Sequence, residues 1–225
     1  MFEKSVEELT ELGAQITTAE IAQQPELWRD TLNIYRENKE AIEAFLAEAR
    51  AMGEGRLSVV FTGAGTSDYV GDTCAPYLRH AGNTDLYDFK PIATTDIVSA
   101  PRDFLRAEDP TLVVSFARSG NSPESLAAVA VAKELVHNVK FLNITCAPEG
   151  KLAVESADDP NALTLLIPRA NDKGFAMTGS YSCMTLLSTL IFDTASDEQK
   201  AEWVETIAKM GEEGISLSLI HISEP

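Results

Sequence analysis

The spacing of apolar residues changes near residue 50, and this change divides the chain into two parts. In the first part apolar residues recur every three or four positions, which is typical of an amphipathic helix. One stripe of such a helix contains Trp28, Tyr35, Ile42 and Ala49. The pattern predicts a long helix from Pro25, with its apolar face packed on the main domain or on a partner subunit. Upstream, Thr17 and Glu20 have the spacing of a capping box and predict a helix start.

After residue 56 the pattern becomes one of short runs rich in Val, Ile and Leu, separated by helical stretches. The runs predict strands at residues 57–65, 84–89, 111–116, 139–146 and 162–168. Helices are predicted at residues 67–82, 94–100, 122–137, 180–195 and 197–211. Apolar strands that alternate with helices are typical of a parallel sheet covered on both faces.

Right-handed crossovers leave few topologies for such a chain. The most economical is a flavodoxin-like α/β fold, a five-stranded parallel sheet in the order 2-1-3-4-5. We expect this domain at residues 51–214, after an N-terminal helical segment at residues 1–50. The final stretch, "ISLSLIHISEP", continues no helical pattern and resembles translated sequencing-adapter read-through. We therefore expect residues 215–225 to be a non-native tail, and the natural protein to continue past about Gly214.

The composition of the chain restricts the classes of molecule that it can bind. The chain has 225 residues and a formal net charge of -17, which argues against a nucleic-acid partner and against docking on an anionic membrane. A small anionic ligand is still compatible, because a local site can be positive on an acidic body. No apolar run reaches the roughly 20 residues of a membrane span, and the acidic start "MFEKSVEEL" is unlike a signal peptide.

The cysteines and the metal-ligating residue types indicate a reduced, metal-free protein. Cys74, Cys146 and Cys183 form no C-x-x-C pair, which favours reduced thiols and a cytoplasmic location. No cluster of His, Cys, Asp and Glu has metal-ligand spacing, so neither a metal nor another cofactor is expected.

Two small polar loops lie where a sheet of this topology binds ligands. In the order 2-1-3-4-5 the crevice opens at the carboxyl ends of the first and third strands. Those ends carry "TGAGTS", residues 62–67, and "SFARSGNS", residues 115–122. Glycines bring backbone N–H groups close to an anion, and hydroxyls at a helix start add donors. The candidate phosphate ligands are Gly65, Thr66, Ser67, Ser119, Gly120, Asn121 and Ser122.

Two other interpretations apply to parts of these loops. Ser122 precedes Pro123 and has the pattern of a helix N-cap, a role that needs no ligand. The loop "GAGTSD" has the first two glycines of a dinucleotide-binding motif, with Asp68 at the third place. A carboxylate there would repel a pyrophosphate, and a dinucleotide leaves the second serine loop unexplained.

Together, "TGAGTSDYVG" and "RSGNSPES" resemble the sugar isomerase (SIS) domain family. Within it they are similar to tagatose-6-phosphate ketose/aldose isomerases and galactosamine-6-phosphate deaminases, over about residues 15–214. The resemblance implies that both loops hold the phosphate of a sugar phosphate. Ala117 stands where many members have a serine, and the cation of Arg118 compensates for the lost donor. Arg118, Asp68, Glu124 and Ser180 are the candidate sugar contacts; Ser180 lies in "FAMTGSYSCM", which resembles a stretch beside the sugar in related isomerases.

The resemblance also implies a second lobe, which carries the acid and base of related amino-sugar isomerases, and a homo-oligomer for the full-length protein. The catalytic residues are therefore unknown here, and His80 and His137 are expected to interact with carbonyls at helix ends. Two functions follow: the phosphate-binding half of a sugar-phosphate isomerase or deaminase, or a non-catalytic module that senses sugar phosphates. The acidic helices ahead of the sheet favour the first, since a regulator would have a basic DNA-binding segment there.

Overall fold

The computed structural model describes Phe2 and residues 4–217. Its core is a five-stranded, wholly parallel sheet in the order β2-β1-β3-β4-β5, so the predicted flavodoxin-like topology is confirmed. The strands are β1 (Leu57–Gly63), β2 (Tyr87–Pro91), β3 (Thr111–Ala117), β4 (Val139–Thr145) and β5 (Ala162–Leu166).

Helices precede the sheet and connect its strands. The N-terminal helices are α1 (Val6–Glu11), α2 (Gln15–Ala22) and α3 (Gln24–Arg50). The others are α4 (Asp68–Ala81), α5 (Thr94–Ser99), α6 (Pro101–Phe104), α7 (Pro123–Leu135), α8 (Lys151–Ser156), α9 (Thr178–Phe192) and α10 (Asp197–Ser216). The short helices α6 and α8 were not predicted, because four to six residues are too few to show a helical period.

Both faces of the sheet are buried, which explains the apolar strand sequences. On one face, Phe61 stacks against Phe89 and Phe116 and meets the edge of Phe192 from α9. On the other face, Val60, Val113 and Phe141 form a smaller core with residues of α5 and α7. The larger core also includes α3, α4 and α10.

The long N-terminal helix packs on the main domain of its own chain. Its predicted stripe is largely buried, with Tyr35 and Ile42 only 5% and 2% exposed, and the helix packs on α9 and α10. Trp28 at the edge of the stripe donates from Nε1 to Ser182 Oγ of α9 at 3.0 Å. Helix α3 and the sheet therefore share one core.

The capping box predicted at Thr17 and Glu20 is wrong. The helix α2 begins at Gln15, which places Thr17 inside it. Glu20 is buried and accepts hydrogen bonds from the backbone N–H groups of Lys173 and Gly174 instead. A carboxylate can satisfy distant backbone donors as well as local ones, and the sequence spacing does not distinguish them.

The last described helix, α10, continues to Ser216, two residues beyond the expected boundary at Gly214. Most of the expected non-native tail, residues 218–225, lies outside the described residues. In the described part of the chain, no helix combines the length and apolar character needed to cross a membrane.

Candidate functional site

The candidate site lies between β1 and β3, where the strand order of the sheet reverses. Strand β1 is followed by a connection to β2 on one side, and β3 by a connection to β4 on the other, so a crevice opens at their carboxyl ends. The loops after Gly63 and Ala117 border this crevice. Thr94 fixes the first loop, because its hydroxyl donates to the carbonyl oxygen of Gly63 at 2.9 Å.

The first loop, residues 64–67, makes a short turn that leads directly into α4. Gly65 has a φ of 59°, a backbone conformation in which side chains are strained. The turn places the hydroxyls of Thr66 and Ser67 at the amino-terminal end of α4, where the helix dipole favours an anion.

The second loop, residues 118–122, makes a similar turn before α7. Gly120 has a φ of 66°, and a Cβ there would lie 3.3 Å from the side chain of Leu152. Asn121 Oδ1 accepts from the backbone N–H of Lys151 at 3.1 Å, so its side chain fastens the start of α8. Ser119 and Ser122 are the residues of this loop whose hydroxyls lie on the crevice side.

The two loops and the start of α9 enclose one pocket of about 210 Å³. It is lined by Ala64, Thr66, Ser67, Phe116, Ala117, Arg118, Ser119, Ser122, Met177, Ser180 and Tyr181. Six residues singled out from the sequence therefore meet in one cavity: Thr66, Ser67, Arg118, Ser119, Ser122 and Ser180.

The remaining candidates lie around this pocket and are not among its lining residues. Gly65 and Gly120 shape the two loops, and Asn121 binds α8. Glu124 is exposed in the first turn of α7. Asp68 is at the start of α4, where burial and the charges of Asp72 and Asp96 raise the pKa of its carboxyl.

Ser122 does not cap α7 through its side chain. The helix begins at Pro123 as predicted, but no side-chain capping bond is made at its start. The Ser122 hydroxyl lies 3.3 Å from that of Ser125 and lines the pocket. The capping interpretation therefore does not account for this serine.

The pocket contains one charged side chain among its lining residues, that of Arg118. Its Nη1 donates to the carbonyl oxygen of Asp172 at 2.8 Å and contacts Asn171 Oδ1 at 3.4 Å. A guanidinium has five N–H donors, so others remain for a ligand. Arg118 thus places a positive charge in the pocket wall of a chain whose net charge is -17.

Neither histidine of the described chain lines this pocket. His80 lies in the last turn of α4, and His137 Nδ1 lies 3.3 Å from a carboxylate oxygen of Glu108. Among the described residues, no group of three or more His, Cys, Asp and Glu side chains is arranged to hold a metal ion.

Sequence reasoning missed Tyr181, Met177 and Phe116 as lining residues and Asp172 behind them. Tyr181 extends across the pocket wall, and its hydroxyl lies 2.7 Å from Thr73 Oγ1 of α4. The signal available was the stretch "FAMTGSYSCM", but only the packing of α9 beside the two loops shows which of its residues face the crevice.

Comparisons with known proteins identify the class of this fold and site. No protein-family model matches the chain. A solved structure from Clostridium novyi NT, provisionally described as a tagatose-6-phosphate ketose/aldose isomerase, superposes with a TM-score of 0.87 at 40% identity. The match covers 96% of this chain and 55% of that one. The resemblance to the SIS family of phosphosugar isomerases is confirmed.

Curated relatives give a finer comparison. The D-galactosamine-6-phosphate deaminase of Shewanella sp. strain ANA-3 is 43% identical over 189 residues, covering 84% of this chain and 48% of the relative. A Streptomyces coelicolor protein provisionally given the same name is 46% identical over 188 residues, covering 83% and 47%. The chain spans about half the length of the curated relatives it matches, which fits one lobe of the family.

Proposed function

We propose that this chain is the phosphate-binding N-terminal half of an enzyme that isomerises or deaminates a sugar 6-phosphate. The observation that carries the proposal is the convergence of two hydroxyl-bearing loops and Arg118 on one pocket at the switch point of the sheet. The substrates that the relatives' names suggest are tagatose-6-phosphate and galactosamine-6-phosphate.

In this proposal the phosphate lies between the two loops. Thr66 and Ser67 donate from one side, and Ser119 and Ser122 from the other. Arg118 supplies the positive charge that a phosphate dianion requires, with its guanidinium held by the carbonyl of Asp172. Gly65 and Gly120 serve as phosphate ligands only through the backbone N–H groups that their turns expose.

Moving a proton between adjacent carbons of the sugar requires a base, and the carbonyl requires an acid. The lining residues of the pocket include neither a carboxylate nor an imidazole. We therefore place the acid and base in a second lobe, corresponding to the half of the relatives that this chain does not match.

The alternative is a non-catalytic module that senses sugar phosphates. The observation in its favour is the same lack of a carboxylate or imidazole among the lining residues. This alternative predicts that the chain binds sugar phosphates without turnover, even when a second lobe is present.

The two functions are separated by assaying the 225-residue chain beside a chain extended through the downstream gene sequence. Tagatose-6-phosphate isomerisation and ammonia release from galactosamine-6-phosphate are measured, after removal of host isomerases. We expect no turnover by the shorter chain and turnover by the longer one. Binding without turnover by the longer chain would favour the sensor, and turnover by the shorter chain would mean that the acid and base lie within it.

Other properties belong to the same proposal. The full-length protein is a homo-oligomer in the cytoplasm, with a helical segment at residues 1–50 and a SIS domain at residues 51–214. The buried thiols of Cys74, Cys146 and Cys183 support a reducing compartment.

A further inference from the structure

A buried carboxylate behind the pocket determines whether one of the pocket's hydroxyls donates or accepts a hydrogen bond. Asp172 is only 2% exposed and lies beside the first turn of α9. Its Oδ1 accepts from the backbone N–H of Gly179 at 3.0 Å. Its Oδ2 accepts from the backbone N–H of Ser180 at 2.7 Å and from the Ser180 hydroxyl at 2.5 Å.

This arrangement fixes the hydrogen of the Ser180 hydroxyl. A serine hydroxyl has one proton to donate and two lone pairs that accept. Because the proton of Ser180 is donated to Asp172, only lone pairs are available towards the pocket that Ser180 lines. The hydroxyl is thus an acceptor for any ligand in the pocket.

An acceptor has different partners from the donors of the two loops. A phosphate dianion has only acceptor oxygens, so Ser180 cannot bond to it in this arrangement. A sugar hydroxyl or an ammonium group can donate to Ser180. The pocket is therefore polarised, with donors at the loops after β1 and β3 and an acceptor at the start of α9.

We propose that Asp172 is a positioning residue that makes Ser180 a hydrogen-bond acceptor for a hydroxyl or ammonium group of the sugar. The same residue holds Arg118 through its backbone carbonyl, so one short segment orients both ends of the site. Glu20 of α2 secures the next two residues through their backbone N–H groups. This inference rests on the proposed function, since it assumes that the pocket binds a sugar phosphate.

The test separates the two ends of the ligand. Inorganic phosphate probes the donor loops alone, and galactosamine-6-phosphate probes both ends. Each is titrated by calorimetry into the wild-type chain and the variants Ser119→Ala, Ser180→Ala and Ser182→Ala. Ser182 is the matched control, because its hydroxyl lies on the same helix and bonds to Gln24 and Trp28, outside the pocket.

We expect Ser119→Ala to weaken both ligands. Ser180→Ala should weaken binding of the sugar phosphate about threefold to tenfold, which is the value of one neutral hydrogen bond. It should change the affinity for inorganic phosphate less than about twofold. Ser182→Ala should leave both within about twofold. An Asp172→Ala variant that folds in urea melts should repeat the selective loss of Ser180→Ala, because the hydroxyl then loses its carboxylate acceptor.

An equal loss of affinity for both ligands in Ser180→Ala would show that the hydroxyl donates to phosphate, and this would overturn the inference. No loss of either ligand would also overturn it, because the hydroxyl would then make no contact. If the wild-type chain binds neither ligand, the proposed function itself fails and this inference fails with it.

Discussion

In the proposed site, phosphate binding depends on the positive charge of Arg118, the charged side chain among the lining residues. Replacement by glutamine, Arg118→Gln, keeps a polar, though shorter, side chain and removes the positive charge. The other ten lining residues are uncharged, so nothing in the pocket wall replaces this charge. The whole chain has 35 acidic and 18 basic residues, so its overall charge repels a dianion.

The size of the effect follows from the type of bond that is lost. Two unit charges about 4 Å apart attract by about 4 kcal/mol at an effective dielectric constant near 20, before desolvation is subtracted. A hydrogen bond to a charged group contributes about 1.5–3 kcal/mol net. At about 1.4 kcal/mol per factor of ten, Arg118→Gln should weaken sugar-phosphate binding roughly ten- to hundredfold.

The assay is calorimetric titration with a sugar 6-phosphate at low and high salt. Arg169→Gln is the matched control, because it changes the net charge equally and Arg169 pairs with Glu26 and Asp30 on the surface. Arg118→Lys, which keeps the charge, should fall between the wild type and Arg118→Gln. Urea melts exclude the possibility that the variants have unfolded.

Two results would refute this reasoning. Unchanged affinity in Arg118→Gln would show that the guanidinium does not contact the ligand. An equal loss in Arg169→Gln would show that only the overall charge of the chain matters, and that the pocket has no local charge of its own.

Three further predictions concern packing and surface. Burial raises the pKa of Cys74 to about 12 and that of Cys183 to about 11. These two thiols should therefore react with an aromatic disulfide reagent only after urea has unfolded the chain. Rapid labelling of the native chain would contradict this burial. Phe61→Ala removes a buried ring from the aromatic cluster and should cost about 3–5 kcal/mol in urea melts, and a cost below about 1 kcal/mol would mean that the cluster is loosely packed. Trp203 and Met210 are 44% and 64% exposed on one side of α10, and we expect this apolar face to cause concentration-dependent self-association. Trp203→Lys should then reduce the association seen in sedimentation, and no change would exclude this face as the contact.

The sheet and its ligand crevice could be predicted because their signals are local. Runs such as "TLVVSF" are apolar at every position, which is what a strand buried on both faces requires. Right-handed connections then left few topologies, of which the flavodoxin-like strand order was the most economical. The loops that carry Thr66 and Ser119 were visible because glycines and hydroxyls directly follow two of these strands.

The rest of the site depends on contacts between residues far apart in sequence. Asp172 bonds to Ser180 across a loop, and Glu20 bonds to the backbone of a segment some 150 residues away. Neither contact has a periodic or motif signal. The contact between Asn121 Oδ1 and the start of α8 could not be predicted, because α8 was too short to recognise.

The most direct test of the account is whether the pocket distinguishes phosphorylated from free sugars. The wild-type chain is titrated by calorimetry with tagatose-6-phosphate, galactosamine-6-phosphate and the corresponding free sugars under identical conditions. We predict measurable binding of the 6-phosphates and none of the free sugars, because the donors of both loops and Arg118 act on the phosphate. Equal binding of phosphorylated and free sugars would contradict the assignment of this pocket as a phosphate site.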